Sequence, residues 1–384
     1  MKRGLAGHYE ISTTAGESVR AFVPDPLPPR RPLELSGPLQ ALVEQAALAL
    51  GRLDSMSVLL PDRTLVLYAY VRKEAVLSSQ IEGTQSSLSD LLLFELEQAP
   101  GVPVDDVVEV SSYVAALEHG LARLRAGFPV SARLVREMHT ELLVRGRGSG
   151  KEPGEFRRSQ NWIGGTRPGN AHYVPPPHAE IAPCIAALER FIHEDARDMP
   201  LLARAGLAHV QFESIHPFLD GNGRIGRLLI TLLLCAYGVL TEPLLYLSLY
   251  FKQHRDEYYR LLDVARLEGD WEAWLEFFVT GVLETADGAV ATAADLSRLF
   301  DADRQLLRAS GRRAGSLLRV HEVLQARPLV TLNEVVAPTG LSFPGAADAM
   351  SGLLRLGIAN EVTGKKRNRV FAYDRYLAAL SAGT

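Results

Sequence analysis

Two cysteines in 384 residues are too few for a disulfide framework, and Cys184 and Cys235 lie in apolar helical contexts without ligand spacing. Ten histidines form no zinc pattern. Neither sign of charge dominates: 41 basic residues face 45 acidic ones, a net charge of -4, so nothing draws the whole chain to nucleic acid or an anionic membrane. No stretch approaches the roughly 20 apolar residues of a membrane span. The longest, Leu228 to Leu240, reads as a buried helix, and the first residues, Met1 to His8, lack the apolar region of a secretory leader. A reducing, cytoplasmic setting is therefore expected. What remains is a chain of two or three domains whose 47% hydrophobic content supports a sizeable core.

One stretch concentrates the chemistry. His216-Pro217-Phe218-Leu219-Asp220-Gly221-Asn222-Gly223-Arg224-Ile225-Gly226-Arg227 holds a proton acceptor, a carboxylate, three glycines and two guanidinium groups. Upstream, Leu201, Leu202, Ala205, Ala208 and Phe212 recur at three-to-four spacing, an amphipathic helix ending near His216. Downstream, Arg224 to Tyr237 reads as a second, nearly all-apolar helix. Gly221-Asn222-Gly223 is then the connecting loop, and its N-H groups stand at a helix N-terminus, where unpaired donors and about half a positive charge attract anions. Gly223 admits close approach of a diphosphate. Arg224 and Arg227, three apart, can grip phosphates with forked donors. Asp220 is placed to hold magnesium. Phosphoryl and nucleotidyl transfers need positioning, charge neutralisation and one proton acceptor. A lone histidine at a helix end is more often a core residue, but within this motif His216 is the candidate base.

These residues resemble the signature of the Fic family, His-x-Phe-x-Asp/Glu-Gly-Asn-Gly-Arg-x-x-Arg. Eight constrained positions make a chance match on the order of one in tens of millions. The resemblance implies a mainly α fold: a Fic-type helical core with a β-hairpin flap, an N-terminal helical extension and a C-terminal winged helix. It implies a protein adenylyltransferase, a nucleotidyltransferase moving AMP from ATP, with Mg2+, onto a Ser, Thr or Tyr hydroxyl of a target protein and of itself. Other donors or directions keep the same site: UMP or phosphocholine transfer, or removal of AMP. A regulator that binds DNA and senses ATP is the non-enzymatic alternative.

Three segments are expected. Residues 1–98 begin with a Pro-rich extended stretch, Pro24 to Pro32, and then become helical, with helices over Ala41 to Leu53 and from Tyr68 to Leu77. Ser78 through Glu82-Gly83 carries a second Fic-like signature, weak alone but here upstream of a matching core. It implies that Glu82 pairs with Arg227 in the room needed by the ATP γ-phosphate, with Ser78 seating the helix. Residues 104–283 form the catalytic core. Within it, Gly154 to Gly165 and Ala171 to Pro177 suggest two short strands around a loop, resembling the flap on which the family holds its target by strand addition. Tyr258 or Tyr259 is the candidate for stacking on adenine, although aromatics at such spacing are more often core. Residues 315–384 read as helices Leu317 to Ala326, Thr331 to Pro338 and Pro344 to Leu356, with strands Ile358 to Val362 and Arg369 to Tyr373 around a basic turn. This resembles a winged helix. Its presumed recognition helix has almost no base-reading side chains, so DNA contact and a packing or homodimer role both stay open.

Overall fold

The computed structural model describes residues 1–14, 16–59, 63–96, 102–193 and 198–382. It begins with an antiparallel hairpin that the sequence reading did not anticipate, β1 (Gly7–Thr14) and β2 (Glu17–Pro24), paired from Gly7 with Pro24 to Thr14 with Glu17. Phe22 is buried and its N-H donates to the Val174 carbonyl at 2.9 Å, so β2 lies against the region read as the flap.

Two helices follow, α1 (Pro38–Leu59) and α2 (Arg63–Ile81). Helix α2 is held deep in the molecule: Tyr70 donates to the Ala289 carbonyl at 2.8 Å, and buried Glu74 accepts from the Ser248 N-H at 3.1 Å and from the Tyr113 hydroxyl at 3.3 Å. Then come α3 (Leu88–Glu95), capped by a reciprocal Ser87 and Asp90 box, and the pair α4 (Val104–Arg125) and α5 (Ala132–Leu143).

The expected two-stranded flap is reduced to one antiparallel bridge, Ile163 with Tyr173, around a single 3-10 turn at Pro168–Asn170. Pro168 and Pro175 to Pro177 lack N-H donors, which stops the ladder from lengthening. Helix α6 (His178–His193) leads to α7 (Leu201–Ile215) and α8 (Asn222–Ala236). The last two carry the motif between them and are buried along nearly their whole length. Helices α9 (Ser248–Gln253) and α10 (Arg255–Glu268) precede α11 (Trp271–Arg308), 38 residues without interruption. The boundary read at 283 therefore falls inside a continuous helix, which packs along α1 and carries the chain to its last segment.

That segment contains α12 (Ala314–Ala326), β3 (Leu329–Thr331), α13 (Leu332–Thr339), α14 (Phe343–Arg355), β4 (Asn360–Glu361), β5 (Val370–Ala372) and α15 (Asp374–Ser381). The strands form one antiparallel sheet in the order β3-β5-β4. Strand β3 was not legible in the sequence because Leu329–Thr331 is too short to show alternation. Thr331 caps α13 with Glu334, and Gly340, at φ 64°, ends it. Arg375 pairs with Asp303 of α11 at 2.7 Å, and Phe300 packs against Tyr373 and Tyr376. Among the described residues no helix is long and apolar enough to cross a membrane.

Candidate active site

Helix α7 ends where it does because Pro217 disfavours the α conformation for the residue before it. His216 instead takes φ 48° and ψ 59°, a left-handed position uncommon for a residue with a side chain, while its N-H still donates to the Phe212 carbonyl at 2.9 Å. The strain is held by neighbours. Arg157, 2% exposed, donates from Nε to the His216 carbonyl at 3.0 Å, from Nη2 to that of Pro176 at 2.6 Å and from Nη1 to that of Ser159 at 3.1 Å. It thus ties the base of the flap to the end of α7.

The turn after His216 is equally braced. Asn222 accepts from the Phe218 N-H at 2.8 Å and donates to the Phe218 carbonyl at 2.9 Å, closing the loop on itself. The Phe218 ring stacks on His139 with centroids 3.7 Å apart. His139 accepts at Nδ1 from the Gly154 N-H at 2.8 Å, which leaves Nε2 to donate to the Asp220 carbonyl at 3.0 Å. Burial lowers its pKa to about 4, so it braces as a neutral ring.

Gly221, at φ 75°, starts α8, and no side chain caps the helix. The first-turn N-H groups are therefore open, the condition for binding an anion. What stands there is a carboxylate. Glu82, just past the end of α2, lies against Gly223 so closely that a Cβ on that glycine would collide with its Oε1. The same Oε1 accepts from Arg227 Nη2 at 2.6 Å. Arg227, 2% exposed, also donates from Nε to Ser78 Oγ at 2.8 Å and from Nη2 to the Ser78 carbonyl at 3.0 Å. Burial presses the Glu82 pKa upward, but the charge and hydrogen bond of Arg227 outweigh it and hold the carboxyl below its ordinary value.

A cavity of about 390 Å³ opens beside this pair. Glu82, His216, Gly223, Arg227, Tyr258 and Tyr259 all line it. The remaining expected residues stand around that set. The Ser78 and Asn222 side chains are engaged as described. Arg224 is buried and directed at Glu109, 2.8 Å away, with Asp220 at 3.5 Å. Of the two arginines, only Arg227 borders the cavity. The Asp220 carboxylate accepts from the Gly221 N-H at 2.6 Å through Oδ1 and is 30% exposed, with Oδ2 beside Gly148. One partly exposed carboxylate beside open helix donors suits magnesium, which keeps several waters and is bound through one or two carboxylates plus substrate phosphates.

The two tyrosines differ. Tyr258 is 1% exposed and donates its hydroxyl to His209 Nε2 at 2.8 Å, because His209 Nδ1 donates to the Gly226 carbonyl at 2.9 Å. Its ring is packed among Phe251, Tyr259 and Trp274. Tyr259 is 40% exposed, with the Arg255 guanidinium 5.5 Å from its ring centroid. Burial, with the nearby Arg157 charge, lowers the His216 pKa to about 3, so the imidazole is neutral at physiological pH. Its buried Nδ1 has no hydrogen-bond partner.

Sequence reasoning assigned no role to Glu109, His139, Arg157, Glu213 or Arg266. Arg266, 7% exposed, pairs with Asp263 and lies over the Tyr173 ring at 4.1 Å, joining α10 to the flap at the cavity wall. Glu109, His139 and Arg157 meet their partners only through tertiary packing, and the i,i+3 pair of Arg266 with Asp263 is an ordinary helix-surface spacing that does not single it out.

A helical fold with an uncapped, glycine-lined helix start beside a neutral imidazole and a buried arginine brings together the groups that can hold an anion. Residues 40–122 match the Fic/DOC family N-terminal domain, and residues 129–234 match the Fic/DOC family. These two segments are Fic/DOC family domains. It is 31% identical over 221 residues to the protein adenylyltransferase Fic of Drosophila ananassae, a match covering 56% of this chain and 41% of that protein. The enzyme of the same name from Drosophila melanogaster is 30% identical over 221 residues, with the same coverage. The chain thus spans well under half the length of these relatives. In fold it is similar to a Fic family protein from Desulfovibrio desulfuricans G20, at 20% identity and TM-score 0.59, covering 90% of this chain and 98% of that one. It is also similar to Fic-1 (residues 134–508) from C. elegans, at 22% identity and TM-score 0.51, covering 67% and 74% of the two chains.

Proposed function

We propose that this protein is a protein adenylyltransferase, held inactive by Glu82. The observation that carries the reading is the convergence of His216, the open N-terminus of α8 and Arg227 on one cavity, with a carboxylate seated where phosphate oxygens would lie. Relatives named protein adenylyltransferase Fic, about 30% identical over 221 residues, support ATP as the substrate.

In the proposed reaction, the target hydroxyl gives its proton to neutral His216 as its oxygen attacks the α-phosphorus of ATP. The new O-P bond forms as the bond to the β-phosphate bridging oxygen breaks, and pyrophosphate leaves. The N-H groups of Gly223 and its neighbours and the Arg227 guanidinium take the developing charge. A free imidazole with a pKa of about 3 is a weak base, but the anionic nucleotide beside it stabilises its protonated form and raises its basicity as the substrate binds. Asp220 would hold Mg2+, which would neutralise phosphate charge. Tyr259, the more exposed of the two tyrosines, would stack on the adenine. Target backbone would pair with the outer edge of the flap near Ile163, since the Val174 side is taken by β2.

Glu82 opposes all of this. Its charge occupies the cradle, repels a triphosphate and holds Arg227 toward α2. Ser78 reinforces the hold. For the final segment, the helix order and three-stranded sheet support the winged-helix reading, and the exposed positions of α14, Phe343, Pro344, Asp348 and Arg355, include a single basic side chain, which favours packing or self-association over base readout. The deciding experiment is incorporation of label from ATP carrying it on the α-phosphate, in Glu82→Gly and in Glu82→Gly with His216→Ala.

A further inference from the structure

Two glycines one turn apart on α8 are each covered by a carboxyl group. Glu82 lies over Gly223, and Glu213, from the last turn of α7, lies over Gly226. At both positions a Cβ would collide with a carboxylate oxygen, so the bare backbone is what admits the acid. The two carboxyls differ in what they meet. Glu82 is bound by Arg227. Glu213 is 8% exposed, lines the same cavity, and its Oε1 is buried without a hydrogen-bond partner.

Buried acceptors are normally satisfied, and an unsatisfied one on a cavity floor marks where a ligand donor belongs. The position narrows the donor. The cavity is lined both by His216, Gly223 and Arg227, where the phosphates would sit, and by Tyr259, Leu262 and Arg266 of α10. Glu213, from α7, feels the charges of Arg227 and Arg266 and influences Tyr259, so it faces both groups of residues. In a nucleotide laid with its phosphates on α8, the part between phosphates and base is the sugar. A carboxylate accepting from ribose hydroxyls is a recurrent solution in dinucleotide sites.

We propose that Glu213 is a specificity-determining residue that accepts a hydrogen bond from a ribose hydroxyl of the bound nucleotide. The assignment rests on the nucleotide reading of the site. Burial raises the Glu213 pKa to about 7, so near neutrality the group is readily either acid or anion, and its second oxygen can donate to the other hydroxyl when protonated. The charge added beside the phosphates is correspondingly small.

The test uses the full chain carrying Glu82→Gly, with equilibrium dissociation constants measured calorimetrically for ATP, 2′-deoxy-ATP, 3′-deoxy-ATP and inosine triphosphate. With Glu213 present, ATP binds about tenfold more tightly than at least one deoxynucleotide, the size of one hydrogen bond to a partly charged group. Glu213→Ala weakens ATP by about the same factor and leaves that deoxynucleotide unchanged, so the discrimination disappears. Glu213→Gln, which keeps an acceptor, retains most of it and guards against a variant that fails to fold. Equal weakening of all four nucleotides by Glu213→Ala, or no change in any, overturns the assignment. Discrimination that depends on Glu213 but falls between ATP and inosine triphosphate also overturns it, moving the contact to the base amine. If Glu82→Gly alone binds no nucleotide, the nucleotide reading itself fails, and that result is distinct from the others.

Discussion

Glu82 and Arg227, 145 positions apart in the chain, meet at 2.6 Å over the bare backbone of Gly223. The pair joins the end of α2 to the first turns of α8. An anion that enters the cradle must separate them, and whatever separates them frees the guanidinium for that anion.

Ser78 tunes this pair. Its hydroxyl accepts from Arg227 Nε at 2.8 Å in a buried setting, and loss of such a bond costs about 1–3 kcal/mol. Ser78→Ala is expected to loosen α2 without removing the blocking charge. Label incorporation from ATP should rise above wild type and stay below Glu82→Gly. A rate equal to wild type would show that Ser78 does not seat the helix.

Gly223→Ala separates blocking from binding. The added methyl collides with Glu82 Oε1 and crowds Arg227 Nη1 at 3.1 Å, so it disturbs the contact between Glu82 and Arg227. It also fills the space over the open N-H groups. The expected result is no gain in incorporation and nucleotide binding at least tenfold weaker than in Glu82→Gly, measured by calorimetry. Activation comparable to Glu82→Gly would mean that phosphates do not approach α8 at this glycine.

Arg157 supports His216 through the backbone. Arg157→Met keeps the apolar stem and removes the donors to three carbonyls, at about 1–3 kcal/mol for each one left buried and unpaired. The melting temperature should fall by about 5 °C or more. In the Glu82→Gly background kcat should fall further than nucleotide affinity, because the strained turn carrying the base is released. An unchanged kcat in a folded variant would contradict the bracing role.

The pH dependence of stability reports the seat of α2. Burial raises the pKa of Glu74, at the centre of that helix, to about 7 from an ordinary 4.5. The folded state therefore favours the protonated carboxyl. Its contribution is complete below pH 4.5 and is lost as pH rises through about 7. Glu74→Gln can still accept from the Ser248 N-H and donate to Tyr113, but cannot ionise. Thermal melts between pH 5 and 8 should show a shallower decline for the variant, which should be the more stable protein at pH 8. Parallel curves would show that Glu74 is not the titrating group.

How much of this was legible in the sequence depended on range. The motif from His216 to Arg227 is local, and its loop, helix start and glycine cradle follow from residue types at fixed spacing. The helix periodicities were legible for the same reason. Glu82 was legible only with the motif beside it, since a glutamate before a glycine is an ordinary helix end. Arg224 shows the limit: it shares a spacing with Arg227 but is drawn to Glu109, 115 positions earlier, which no local pattern reveals. Arg157, His139 and Glu213 are likewise defined by distant partners. The hairpin β1–β2 was obscured by the proline-rich stretch that follows it, and the flap ladder was shortened by its own prolines.

The most direct test of the account compares wild type with Glu82→Gly using ATP labelled on the α-phosphate and, separately, on the γ-phosphate. Glu82→Gly is expected to incorporate the α label into protein at least tenfold faster than wild type. Neither protein should take up γ label, and incorporation should cease once His216→Ala is added. Equal α incorporation in wild type and Glu82→Gly, or transfer of the γ label, would contradict it.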